Sequence, residues 1–405
     1  MGWPSVGVVL PTHDRPGPLR AALAAVLAQV YPGQLRAVVV YDRAEPDLGL
    51  AGGDRVRVAV NTRTPGLAGA RNTGIGLLDT DLVAFCDDDD EWLPGKLLAQ
   101  VQALRARPGD FDVVHDNQGL GYGMLGVRRL GVPLVTSIHH PISVDRRLDI
   151  AGRSWLQRLN KGRWYGFVRM QGRVARRVGP LITVSSSSQG DICRDFRVNP
   201  EKVHIIPLGV DTELFHPRTA HPRVAGRIVA VTSADSPLKG LPTLLRAVAK
   251  LVTEREAHLV VIGTPSAVTR EQVAQLALAD RVTFASGLPD AEYARALTSA
   301  QVAVIPSLYE GFSLPAVEHM ASGTPLIASR AGALPEVTGD AALLVPPGDP
   351  EELAVALRGL LDDEQARAER AERGLARVRE RFAWPAVAAA TEALYRKVIN
   401  EEPGC

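Results

Sequence analysis

Glu310 and Glu318, with seven residues between them, carry the strongest chemical signal in the chain. In YEGFSLPAVEHMASG they flank a Gly-Phe-Ser-Leu-Pro turn that directly follows the strand-like run QVAVIPS. A strand, a glycine turn and a helix start are expected there, with Ser313 as the cap and Pro315 in the first helical turn. The backbone N–H groups of Gly311, Phe312, Ser313 and Leu314 would then converge outside the carboxyl edge of a sheet, a place for an anion. Glu318, one turn into the helix, could accept two hydrogen bonds from a vicinal diol such as a ribose, and Glu310 could take sugar hydroxyls. Together these residues describe a nucleotide-sugar site. A second signal is FCDDDDEW, where Asp87, Asp88, Asp89 and Asp90 follow a short apolar run. Adjacent carboxylates repel unless a cation or solvent relieves them. The cluster therefore reads either as a Mg2+ or Mn2+ clamp on a diphosphate or as an exposed acidic turn without metal.

The elements that must position these groups follow one pattern. Short runs rich in Val, Ile and Leu alternate with longer segments of helical period, as in βαβ units of a parallel sheet buried on both faces. The first series is VGVVL (6–10), RAVVVY (36–41), LVAFC (82–86), DVVH (112–115), PLVTSI (133–138) and PLITVS (180–185). The second is GRIVAVTS (226–233), HLVVIG (258–263), RVTFAS (281–286), QVAVIPS (301–307), PLIAS (325–329) and ALLVP (342–346). Between them VHIIPLGVDTELFHPRTAHPRV, rich in Pro and turn residues, reads as a linker. The expected fold is α/β, with two Rossmann-like domains. The tail from Phe382 has helical periodicity and is expected to pack back on a neighbouring domain.

Composition narrows the function classes. A chain of 405 residues argues for two or three domains with sizeable apolar cores. Lys plus Arg number 46 against 45 for Asp plus Glu, so no global field favours nucleic acid as a partner. With 46% hydrophobic and 22% charged residues the chain is a globular one rather than a disordered one. Cys86, Cys193 and Cys405 lie far apart with no CxxC pair, which suggests neither disulfides nor zinc and fits a reducing compartment. No basic flank with a long apolar run opens the chain and no membrane-spanning stretch follows, so a cytoplasmic location is expected. From Arg146 to Arg177 basic residues greatly outnumber a single acid, Asp149, with Trp155, Trp164, Tyr165 and Phe167 interleaved. This stretch could make peripheral contact with anionic lipid at the inner face of a membrane, or be a solvated helical face packing its aromatics inward.

From about residue 110 to the C-terminus the sequence resembles glycosyltransferase family four, retaining enzymes of the two-domain GT-B fold whose signature is a Glu, seven residues and a second Glu. IIPLGVDTELFHP, SPLKGLPTLL, YEGFSLPAVE and GALPEVTGDAALLVPPGDPEELA carry the likeness. The resemblance implies a nucleotide diphosphate sugar donor and no required metal. It makes Lys239 the cation on the donor diphosphate and His139 the histidine facing the donor sugar, with Glu310 beside it, while Glu318 and residues 311–314 hold the donor. His140 is an ambiguous neighbour, and Asn117 or Gln118 could hydrogen-bond an acceptor. Ser233 stands where the family commonly places an arginine, so one phosphate cation is missing. The family-level expectation for the acceptor is a cell-envelope glycolipid or polysaccharide, or a small molecule.

The first 105 or so residues are similar instead to the nucleotide-binding half of glycosyltransferase family two, metal-dependent inverting enzymes of the GT-A fold. LPTHDRP, Asp42, GLAGARNTGIG and FCDDDDEWLPGKL carry that likeness. It implies Pro11, Thr12, Asp42 and Arg71 in a nucleotide pocket, now vestigial in a hybrid chain, and Asp88 and Asp89 as the metal pair. The expected divisions are 1–107 as the GT-A-like half, 108–215 as the remainder of the N-terminal domain, 216–382 as the nucleotide-sugar domain and 383–405 as the returning helix. A parallel sheet could continue across the join. Three activities compete: retaining transfer at Glu310 and Glu318, metal-dependent inverting transfer at Asp87 to Asp90, and non-catalytic binding of a nucleotide sugar.

Overall fold

A computed structural model describes residues 2–105, 111–118, 120–129, 131–139, 142–144, 146, 165, 167–218, 222–232 and 236–400. The chain divides into two compact units, Met1–Asp110 and Phe111–Cys405. Among the described residues all three sheets are parallel. The first unit holds β1 (Val6–Thr12), β2 (Leu35–Tyr41), β3 (Val56–Val60) and β4 (Leu82–Phe85) in the order β3-β2-β1-β4. The second unit holds β5 (Val114–Asn117), β6 (Leu134–Ser137), β7 (Leu181–Thr183) and β8 (Val203–Ile205), paired in chain order. It also holds β9 (Val224–Val231), β10 (His258–Ile262), β11 (Val282–Ala285), β12 (Ala300–Ile305), β13 (Leu326–Ser329) and β14 (Ala342–Val345), in the order β11-β10-β9-β12-β13-β14. The strands of the first unit form a sheet of their own, so the ladder does not run on from β4 into β5.

Apolar runs become buried strands where helices cover both faces. In the first unit Val8 and Leu10 pack against Leu19 and Leu23 of the helix Pro16–Leu27, while Val9, Val38 and Val40 meet Ala70 of the helix Leu67–Gly76. Edge strands escape that rule. Val83 and Phe85 of β4 and Val60 of β3 are exposed, because an edge has a neighbour on one side only. Two strands stand outside the expected series. VRVAV forms β3 with Arg57 outward, and VHI, read as the start of the linker, forms β8 at the margin of its sheet. A three-residue edge strand needs too little apolar sequence to be distinguished from a connection.

In the second unit one face of the six-stranded sheet buries Ile228, Val302, Val304 and Ile327 under the helices Leu241–Leu251 and Pro350–Asp362. The opposite face buries Val229, Ala303, Ile305 and Leu326 under Leu314–Ala321 and Leu334–Thr338. The four-stranded sheet packs Leu134, Leu181 and Val203 on Val174, Ile192 and Phe196. On its other face Val135, Ile182 and Ile206 meet Val387 and Leu394 of the last helix, Trp384–Asn400. The chain thus passes between these two sheets twice, once between β8 and β9 and again at 382–384. The crossings lie side by side, joined by a bridge from Val210 to Ala383. Gly209 allows this contact, since a Cβ there would stand 2.6 Å from the Trp384 ring.

Sheet order decides where chemistry can sit. From β9 the chain winds outward through β10 to β11, then returns to β12 and winds the other way to β14. The carboxyl ends of β9 and β12 therefore bound a crevice at a topological switch point. The same reversal in the first unit falls between β1 and β4.

Candidate active site

Lys239 and Glu310, 71 residues apart, meet at the β9/β12 crevice, where Lys239 Nζ lies 2.8 Å from Glu310 Oε1. The loops that carry them are tied together. Leu308 N–H donates to Leu238 C=O at 2.7 Å, and Gly240 follows at φ +67° where a Cβ would stand 1.9 Å from Pro306 C=O. Only glycine fits such an approach in that conformation. Ser307 Oγ donates to the same Glu310 oxygen at 2.7 Å, so a buried carboxylate is held by one cation and one hydroxyl.

Gly311 to Leu314 form the turn that leads into the helix Leu314–Ala321. Phe312 anchors it, edge-on to Phe382 with ring centres 5.7 Å apart. Gly311 C=O accepts hydrogen bonds from Ser185 Oγ at 2.6 Å and Ser188 Oγ at 3.1 Å. Because a trans peptide opposes its C=O and N–H, pinning that carbonyl turns the Phe312 N–H the other way. Ser313 departs from the expected cap. It occupies the cap position at φ 90°, but its hydroxyl makes no capping bond and is buried with no partner among the described residues. Positive φ swings a non-glycine side chain away from the first helical turn, and the strain and the unpaired hydroxyl fall together at the helix N-terminus.

Glu318 projects from the first turns of the same helix, and the hydroxyl of Tyr293 donates to its Oε2. Burial pushes the Glu318 carboxyl above the usual carboxylate range, and the Tyr293 hydrogen bond opposes that rise. Tyr293 comes from another helix, Asp290–Ser299, and was not among the residues singled out by motif. Nothing local in DAEYARALTS marks it.

The next residue, His319, is fully buried, and neither ring nitrogen has a partner among the described residues. Burial, aided by the Arg223 guanidinium, lowers its pKa to about 3. The unfolded chain takes up this proton below about pH 6.5 and the folded chain refuses it, so stability is fully present above that pH and declines as pH falls from 6.5 toward 3. At pH 5 the loss is expected to reach about 2 kcal/mol. Urea unfolding at pH 7.5 and pH 5 checks this, and His319→Leu should flatten the difference.

His139 stands just beyond the end of β6, with Nε2 2.8 Å from Asn117 Oδ1, while its N–H donates to Gln118 Oε1 at 3.0 Å. Burial and the nearby His115 lower its pKa. His115 itself lies between Tyr395 Oη at 2.5 Å and Ser137 Oγ at 2.7 Å. Among the described residues no hydrogen bond or ion pair joins His139 to Lys239, Glu310 or Glu318. The four-stranded side does reach the donor turn elsewhere. Besides Ser185 and Ser188, Ser186 N–H donates to Glu336 Oε1 and Oε2 at 3.0 and 2.8 Å, and Tyr309 Oη to Asp191 Oδ2 at 2.6 Å. His140, Ser233 and most of the basic stretch, including Trp155 and Trp164, lie outside the described residues. Of that stretch the helix Phe167–Ala175 and its end are described, with Arg169, Arg173, Arg176 and Arg177 exposed.

A cavity of about 370 Å3 forms at the second switch point, lined by Pro11, Thr12, Asp42, Asp87, Asp88 and Asp89 among others. Thr12 Oγ1 donates to Asp88 Oδ2 at 2.7 Å, and Arg71 Nη2 to Asp87 Oδ1 at the same distance. Asp42 accepts from Asn61 Nδ2 at 2.6 Å and from Gly66 N–H at 2.8 Å, which lowers its pKa. Arg15 lies 3.6 Å from Asp88 and 2.5 Å from Asp89, offsetting the charge a metal would otherwise offset. Among the described residues no three His, Cys, Asp or Glu side chains come together as metal ligands.

Parallel α/β sheets with a lysine, two glutamates and a helix N-terminus at a switch point define a glycosyltransferase of the GT-B type. Two family profiles agree: "Glycosyltransferase Family 4" matches residues 51–214 and "Glycosyl transferases group 1" residues 225–363. The MMP alpha-(1->4)-mannosyltransferase of Mycolicibacterium hassiacum is 51% identical over 313 residues, 76% of each chain. The D-inositol 3-phosphate glycosyltransferase of Streptomyces avermitilis is 32% identical over 76% of this chain and 71% of its own. Among solved structures, HepE of Anabaena in complex with UDP superposes with a TM-score of 0.59 at 18% identity, over 97% of this chain and 100% of that one. Sucrose-phosphate synthase from Thermosynechococcus elongatus gives 0.58 at 21% identity, over 97% and 98%. The chain belongs to glycosyltransferase family four and is a transferase enzyme. The family-four profile begins at residue 51, inside the segment whose motifs resemble family two. Among the described residues no helix is long and apolar enough to cross a membrane.

Proposed function

We propose that this enzyme transfers a hexose, a mannose-like sugar, from a nucleotide diphosphate sugar to an acceptor hydroxyl with retention of configuration. The observation that carries the reading is the convergence of Lys239, Glu310 and Glu318 on the crevice beyond β9 and β12. Glu318 holds the ribose diol, and the helix N-terminus with Lys239 faces the diphosphate. As Lys239 turns to the phosphates it releases Glu310, whose carboxylate then accepts from the sugar hydroxyls. His139, kept neutral by burial, donates a hydrogen bond at the sugar and opposes charge developing at the anomeric carbon. The relative named for α-(1->4) mannosyl transfer supports an α-linked product, which is retention when the donor is an α-linked sugar nucleotide. A glycolipid, a polysaccharide or a small molecule of cell-envelope synthesis serves as acceptor, with the exposed arginines near Arg173 facing any anionic headgroup.

The test is a thermal-shift screen of UDP-, GDP- and ADP-sugars with and without Mn2+, followed by NMR of the product anomer. One donor should raise the melting temperature by several degrees without metal, and the product should keep the donor's configuration. An inverted product, or no stabilising donor, overturns the proposal.

The cavity at Thr12 and Asp88 favours a second reading for the first unit. There the chain is a hybrid whose first part is a GT-A-like nucleotide half, able to take a nucleotide with Mg2+ or Mn2+ at Asp88 and Asp89. Donor binding that requires Mn2+ and disappears in Asp88→Asn would move the activity to that site.

A further inference from the structure

Glu318 needs more than its place on a helix to read a diol. A free carboxylate at that position could rotate, and burial favours its protonated form. One side chain opposes both tendencies. The Tyr293 hydroxyl donates to Glu318 Oε2, whereas Oε1 accepts no hydrogen bond from a described residue. Tyr293 is itself fixed from behind. Its ring meets Phe215 edge to face, with centres 5.7 Å apart and planes at 86°.

Phe215 is buried and belongs to the segment that crosses between the two sheets of the second unit. That segment is locked by its own turn, in which Asp211 Oδ1 accepts from Glu213 N–H at 2.9 Å and Leu214 N–H at 3.1 Å. Phe215 N–H closes the turn on Asp211 C=O at 2.9 Å, and Val210 N–H donates to Phe382 C=O at 2.8 Å. A rigid path therefore runs from the crossing, through Phe215 and Tyr293, to one oxygen of Glu318.

We propose that Tyr293 is the positioning residue that makes Glu318 selective for a vicinal diol: its O–H holds one carboxylate oxygen and thereby presents the other to the ribose. This rests on the reading that Glu318 holds the donor ribose. A tyrosine suits the task because its hydroxyl sits at the end of a flat ring with only two side-chain torsions, so the buried ring fixes where the proton points. The crossing segment contributes by setting the ring, which gives Phe215 a part in nucleotide selection although it touches no ligand group itself.

The experiment compares binding of the nucleoside diphosphate matching the best donor with its 2′,3′-dideoxy analogue, by calorimetry, in the wild type, Tyr293→Phe, Phe215→Leu and Glu318→Ala. The wild type should prefer the diol by roughly 10-fold or more, the worth of a pair of hydrogen bonds to a charged acceptor. Tyr293→Phe should weaken the diol nucleotide by about 5-fold to 20-fold and the dideoxy analogue by less than about 2-fold, collapsing the preference. In steady-state assays its effect should fall on the donor KM rather than on kcat. Phe215→Leu, which loosens the ring without removing the hydroxyl, should cut the preference by about 3-fold. The inference is overturned if both variants keep the wild-type preference, or if Tyr293→Phe weakens both nucleotides equally, the mark of a merely structural residue. Glu318→Ala separates the two levels of argument. If it abolishes the preference while Tyr293→Phe does not, Glu318 reads the ribose unaided. If Glu318→Ala itself keeps the preference, the assignment of Glu318 to the ribose falls, and the role of Tyr293 with it.

Discussion

Glu310→Gln is expected to lower kcat roughly 100-fold to 1,000-fold, the scale of losing one preorganised electrostatic contact in a transition state. Its melting temperature should move by no more than about 3 °C. Glutamine keeps the shape of the side chain and can still accept from Ser307, 2.7 Å away. What disappears is the charge opposite Lys239. The lysine side chain is 35% exposed, so the pair contributes to stability at the scale of a screened ion pair, about 1 kcal/mol or less. The damage should therefore appear in turnover. Donor KM should hold steady or fall, because a Lys239 released from Glu310 is free to face the diphosphate. Steady-state kinetics with the donor found by thermal shift, alongside a melting curve, would decide the matter. A variant with wild-type kcat would remove Glu310 from the reacting centre.

A larger structural effect is expected from a residue that carries no functional group. Gly332 lies beyond β13 at φ +53°, and a Cβ there would stand 2.2 Å from Glu310 C=O and 2.9 Å from Glu310 N. The same carbonyl accepts from Ala333 N–H at 2.9 Å, so the Gly332 turn is the platform on which the Glu310 backbone rests. Valine there pays the left-handed conformation, about 1–2 kcal/mol, and must also push the loop aside. Gly332→Val should lose more than about 3 kcal/mol of stability and nearly all activity. Denaturant unfolding and the transfer assay read both. If Gly332→Val keeps wild-type stability and rate, the close packing of these two loops is not what holds the site.

These two sites show how differently the parts of this protein could be read. Glu310, Glu318 and the turn between them are contiguous, and local rules were enough to place them: an apolar run, then glycine, then proline at the start of a helix. The order of strands and helices was legible for the same reason, since burial leaves a periodic trace along the chain. In the first unit Pro11, Thr12, Asp42 and Asp88 line one cavity, whereas Arg71 is not among its lining residues and instead hydrogen-bonds Asp87. Two edge strands were not legible: Arg57 interrupts the apolar run of β3, and β8 is only three residues long.

Sequence by itself determined most of the segments that become strands, where the glycine turns fall and which acidic and basic side chains end at a sheet's carboxyl edge, because those properties depend on a few neighbouring residues. Tertiary structure alone decided that β9 lies beside β12, and with it that Lys239 reaches Glu310, that Tyr293 holds Glu318, that Gly332 supports the site and that the Ser313 hydroxyl is left unpaired. Sheet order is set by helices competing to cover apolar faces across distant parts of the chain, and no local pattern encodes the outcome of that competition.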